Sequence, residues 1–130
     1  MLINLSNHPL TAWDNSQRHA AQEEYGLLAD LPFPPVPANA GLQEVQQKVE
    51  EYISLCQAMF DDYFQTGGIA DKNRNAIHVM GEFTFVYLFV ARCRKLSIPC
   101  VASTTDRIVV DNKDGSKTTR FNFLQFRPYF

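Results

Sequence analysis

The stretch that decides the fold is NAIHVMGEFTFVYLFVARCRKLSIPCVAS, residues 75–103. Asn75 to Met80 is a short apolar, β-prone run, and Gly81-Glu82-Phe83-Thr84 breaks it with a sharp turn. Phe85 to Ala91 is apolar nearly all round before Arg92, Arg94 and Lys95, which predicts a helix covered on several sides. Pro99 to Ser103 is a second short strand. Strand, helix and strand in this spacing make a βαβ unit, whose strands are parallel because the crossover runs through the helix.

The same alternation extends toward the N-terminus. Met1 to Leu5 reads as a buried first strand, broken by Ser6-Asn7-His8-Pro9. Asp14 or Ser16 can cap a helix through Gln17–Tyr25 that stops at Gly26, and Leu27–Leu31 is a second short strand. Pro32, Pro34, Pro35 and Pro37 then impose an extended loop. From Gly41 to Phe64, Val45, Val49, Tyr52, Ile53, Leu55, Cys56, Met59, Phe60 and Phe64 recur at helical spacing, predicting a long amphipathic helix ended by Gly67-Gly68. Toward the C-terminus, Arg107–Asp111 and Lys117–Phe126 flank Asn112-Lys113-Asp114-Gly115-Ser116, a strong hairpin signal. Phe121, Phe123, Leu124 and Phe126 predict that the returning strand buries one or both faces. The expected fold is α/β and Rossmann-like, in three layers: a mainly parallel sheet with a C-terminal antiparallel hairpin, one domain over residues 1–130.

Composition narrows the function classes. With 45% hydrophobic and 20% charged residues the chain is ordinary for a globular protein. It has no apolar run of the roughly 18–20 residues that span a bilayer. Met1-Leu2-Ile3-Asn4 has no basic region before it, so no signal peptide is read and a cytoplasmic protein is expected. Cys56, Cys93 and Cys100 lie in apolar stretches without CxxC spacing, which predicts buried thiols rather than disulfides or zinc. The net charge of −2 hides a split. Residues 1–71 hold ten acids against Arg18 and Lys48, whereas residues 72–130 hold ten bases against four acids. A basic half suits an anionic ligand, although a solvated mixed surface gives the same count.

In a doubly wound sheet, ligands bind beyond the carboxyl ends of the strands. That rule selects three loops: Ser6–Pro9, Met80–Thr84 and Ser103–Arg107. Gly81 before a helix start offers free amides to an anion and room for its approach, and Thr84 can cap the helix or donate to a ligand oxygen. Glu82 adds negative charge there, so it either accepts from a ribose hydroxyl or serves the helix dipole. Ser103-Thr104-Thr105-Asp106-Arg107 supplies three hydroxyls and a guanidinium, fit for phosphate or ribose oxygens. The bland alternative has them capping a turn, with Arg107 paired to Asp106 or Asp111. His8 can act as an acid, base or phosphate donor, or simply bond the backbone before Pro9. His78 reads as a satisfied core histidine and His19 as solvated. No two histidines share metal-ligand spacing, no metal or cofactor is expected, and no nucleophile–His–Asp set can be read.

Met80-Gly81-Glu82-Phe83-Thr84, then Ser103-Thr104-Thr105-Asp106-Arg107, then Phe126-Arg127-Pro128-Tyr129 occur in one order and spacing. The combination resembles the small single-domain CRISPR-associated proteins related to CARF domains, the stand-alone ring nucleases and cyclic-oligoadenylate binders of type III systems. The likeness covers about the last fifty residues well and residues 1–70 thinly, where only Asn7-His8-Pro9 is familiar. It implies a homodimer in the antiviral response that binds cyclic oligoadenylate, and neither DNA nor membrane, in a two-fold pocket. It further implies metal-independent cleavage, in which a ribose 2′-hydroxyl attacks its own 3′-phosphate and leaves a 2′,3′-cyclic phosphate. Arg107 and Thr105 would stabilise phosphoryl charge, and His8 or Glu82 would assist proton transfer. Asn7, Gly81, Phe83, Thr84, Ser103 and Thr104 would bind the ring. Two alternatives stand beside this: a non-catalytic sponge or sensor for the same ligand, and an α/β protein acting on ordinary nucleotides.

Overall fold

The computed structural model describes residues 1–65 and 74–130. The predicted helix end at Gly67-Gly68 lies outside these residues. In chain order the elements are β1 (Leu2–Ser6), a 3-10 turn (Leu10–Ala12), α1 (Asn15–Tyr25), β2 (Leu28–Asp30) and α2 (Leu42–Gln65). They continue with β3 (Ala76–Met80), α3 (Phe83–Lys95), β4 (Cys100–Asp111) and β5 (Lys117–Pro128). The sheet order is β2-β1-β3-β4-β5; the first four strands are parallel and β5 is antiparallel to β4. This is the expected α/β fold with its C-terminal hairpin.

Alternation along the strands sorts the two faces. Ile3, Leu5, Ile77, Val79 and Cys100 pack with Val49, Ile53, Phe85 and Phe89 of α2 and α3. Leu2, Ala76 and Val101 turn the other way, against Trp13, Ala21 and Phe126. Burial of these side chains holds the layers together at roughly 1.5–3 kcal/mol for each large one. The predicted caps form: Asp14 accepts from the Gln17 amide at 2.7 Å, and Gly26 leaves α1 at φ +81°. Arg92 Nε donates to Glu50 Oε1 at 2.6 Å, tying α3 to α2. All three cysteines are buried free thiols. Desolvation pushes Cys56 up to about 12, so it packs as an inert small hydrophobe.

Two expectations for the C-terminal part need correction. Ser103–Arg107 is not a turn after a short strand: β4 runs unbroken from Cys100 to Asp111. Pairing with β5 satisfies its backbone from Val101 opposite Pro128 to Asp111 opposite Lys117, with one bulge at Thr104/Thr105. β3 meets β4 only at Ile77–Cys100 and His78–Val101, so the rest of the hairpin projects from the sheet as a ribbon about 30 Å long. Nor does β5 bury its apolar side chains throughout. Phe126 is buried, but Phe121 is 64% and Leu124 56% exposed because, among the described residues, no further layer covers the ribbon.

Candidate functional site

The order β2-β1-β3 places the reversal of winding between β1 and β3, so the switch-point crevice lies beyond Ser6 and Met80. Residues that alternate onto the α1 face of the strands converge beneath it. Asn4 sits opposite Asp30 on one neighbour and His78 on the other. Among the described residues, Asn4 (1% exposed), Ser6 (6%) and His78 (2%) are the buried polar ones, set within the otherwise apolar β1 and β3.

They form one hydrogen-bonded row. Asn4 Nδ2 donates to Asp30 Oδ1 and to the His8 carbonyl, both at 2.8 Å. Asn4 Oδ1 accepts from Ser6 Oγ at 2.8 Å and lies 2.9 Å from His78 Nδ1. The other ring nitrogen of His78 lies 2.7 Å from Ser103 Oγ, which also accepts from Gln17 Nε2 at 3.0 Å. Trp13 packs edge-on against the His78 ring, with centroids 5.1 Å apart, and its Nε1–H donates to the His8 carbonyl. Burial lowers the His78 pKa to about 4, with a smaller contribution from neighbouring His8, so the ring is neutral near pH 7. A cleft of about 300 Å³ opens beside Asn4, Ser6, Asn7 and Asp30 at this strand end.

The loop Gly81–Thr84 does not offer the anion cradle expected of it. Glu82, not Thr84, caps α3: its carboxylate accepts from the Thr84 and Phe85 amides at 3.1 and 2.8 Å. Thr84 Oγ1 donates to the same carboxylate. These bonds hold the Glu82 carboxyl below its usual range, so it stays ionised and fills the place a phosphate would take. A Cβ at Gly81 would overlap the Phe33 ring, so the missing side chain makes room for Phe33.

The remaining expected site residues are dispersed. Asn7 and His8 are exposed just past β1. Thr104 Oγ1 donates to the Gln125 carbonyl at 3.3 Å, and Thr105 pairs with Phe123. Arg107 pairs with Phe121 on the ribbon, about 13 Å along β4 from Ser103. Phe83 is 89% exposed on α3, at a groove of about 680 Å³ with Tyr87, Arg94, Tyr129 and Phe130. That groove is larger than the crevice but mostly apolar, and the buried polar row lies elsewhere. The structure therefore brings Ser103 together with Asn4, His78, Gln17 and Asp30, which the motifs did not select. The available signal was Asn4 and His78 as polar residues inside apolar strand runs; their pairing required the β1–β3 register. Among the described residues, no three His, Cys, Asp or Glu side chains are placed to share a metal ion, and no helix is long and apolar enough to cross a membrane.

The strand order defines a doubly wound α/β protein with a polar row and a crevice at the carboxyl strand ends. A family model described as the uncharacterized protein MJ1673 family matches residues 1–127, and the chain belongs to that family. No curated protein and no solved structure matches the chain.

Proposed function

We propose that the protein binds cyclic oligoadenylate at the β1–β3 switch point and cleaves it without a metal, ending a type III CRISPR signal. The observation that carries this reading is the hydrogen-bonded row Asp30–Asn4–His78–Ser103, buried at Asn4 and His78. Buried polar groups such as Asn4 and His78 require full hydrogen bonding, and here the row ends on Ser103, a half-buried serine of β4. The motif likeness in residues 80–84, 103–107 and 126–129 supplies the ligand class. A homodimer belongs to the proposal, supported by the uncovered ribbon: Ile108, Val109, Val110, Phe121 and Leu124 are all at least 41% exposed. An isolated two-stranded ribbon is only marginally stable in water, and a second copy gives it a partner. Arg107, carried on that ribbon, meets the ring only where the ribbon folds over a shared ligand.

One observation favours the non-catalytic reading instead. Glu82 is spent on capping α3, which leaves the Gly81 turn without a free acid. A thermal-shift titration with cyclic tri-, tetra- and hexa-adenylate beside AMP and ATP tests ligand class. The proposal expects one ring to raise Tm well above any mononucleotide; a larger shift from a mononucleotide, or none from any ring, contradicts it.

A further inference from the structure

The direction of the buried row can be worked out from its acceptors. Asn4 Nδ2 faces two acceptors, the His8 carbonyl and Asp30 Oδ1, so Oδ1 is the amide atom facing His78. His78 Nδ1 must then carry the proton, which leaves Nε2 bare, and Ser103 Oγ–H donates to it at 2.7 Å. Gln17 Nε2–H occupies one lone pair of Ser103 Oγ. Among the hydrogen bonds of the described residues the second lone pair is unspent. A hydroxyl bonded to a neutral imidazole, itself oriented by a third side chain, is the arrangement that activates hydroxyl chemistry on unrelated folds.

We infer that Ser103, His78 and Asn4 form a proton relay that takes the ribose 2′-hydroxyl proton during ring cleavage. The inference rests on the ligand proposed above. In the step, the 2′-oxygen bonds to the adjacent phosphorus and the P–O5′ bond breaks. The 2′-proton passes to Ser103 Oγ while Ser103's own proton passes to His78 Nε2. The departing O5′ takes a proton from water, and His78 later returns its proton to solvent. The products are a 2′,3′-cyclic phosphate and a 5′-hydroxyl. Asn4 is a positioning residue: it fixes the His78 tautomer and touches no reacting atom. In the free protein burial opposes charging of His78, but a phosphate bound nearby favours the imidazolium, so the base strengthens as ligand arrives.

The test compares wild type, Ser103→Ala and Ser103→Thr, using labelled cyclic tri-, tetra- and hexa-adenylate, by filter binding and single-turnover cleavage in EDTA. Circular dichroism and Tm check folding, and Ser103→Gly replaces the alanine variant if that one fails to fold. The expected result is a Kd within about threefold of wild type with a rate at least about 100-fold lower, partly restored by threonine. Equal cleavage by wild type and Ser103→Ala overturns the relay and leaves the ligand reading intact. Binding without cleavage by wild type also overturns the relay and leaves a non-catalytic binder. No binding by wild type overturns both.

Discussion

Asn4 satisfies its whole side chain inside the sheet: Nδ2 has two acceptors, and Oδ1 meets Ser6 Oγ and His78 Nδ1. Replacing it with leucine strands His78 Nδ1 and removes a partner from Asp30, so Asn4→Leu should destabilise the fold by roughly 2–4 kcal/mol in urea unfolding. His78 makes stability depend on pH. The unfolded imidazole takes up a proton below about 6.5, whereas the native ring refuses one until about pH 4. This contribution is therefore complete above pH 6.5 and is lost as pH falls toward 4, by roughly 3 kcal/mol in all. Urea melts at pH 7 and pH 5 check it; the wild type should lose stability between them and His78→Gln should lose less. Neither residue was legible as a partner of the other. Position 4 and position 78 become neighbours only through a crossover whose register depends on the packed sheet.

At the scale of elements, the strands and helices were legible because period-2 and period-3.6 patterns, prolines and capping residues agreed about their bounds. Asp14, Gly26 and Asp114-Gly115 mark their ends by local chemistry alone. The β4 ribbon was misread for the opposite reason. Ser103-Thr104-Thr105-Asp106-Arg107 is polar, and polar residues signal a loop, yet a two-stranded ribbon exposed to water tolerates them on both faces. The start of α3 was half legible. Gly81 and Glu82 marked the junction, but the glycine serves the Phe33 ring and the glutamate serves the helix amides. Gly81→Ala should therefore cost about 1–3 kcal/mol by overpacking. Phe33→Ala in the same chain should recover part of that loss, and a double-mutant cycle in urea measures the coupling; additive losses would contradict the contact.

For the whole molecule, the proposed dimer rests on the ribbon, where Phe121 and Leu124 are exposed. The dimer proposed above predicts that light scattering gives twice the monomer mass. Phe121→Asp, at a 64% exposed site, should return the protein to a monomer with little change in its own folding. The proposed ligand class rests on short motifs alone, since the residues of the polar row lie in four separate strands and one helix. The account is tested most directly by incubating the wild-type protein with labelled cyclic tri-, tetra- and hexa-adenylate in EDTA and resolving the products. It predicts that one ring opens to linear adenylates ending in a 2′,3′-cyclic phosphate; full recovery of every ring intact would contradict it.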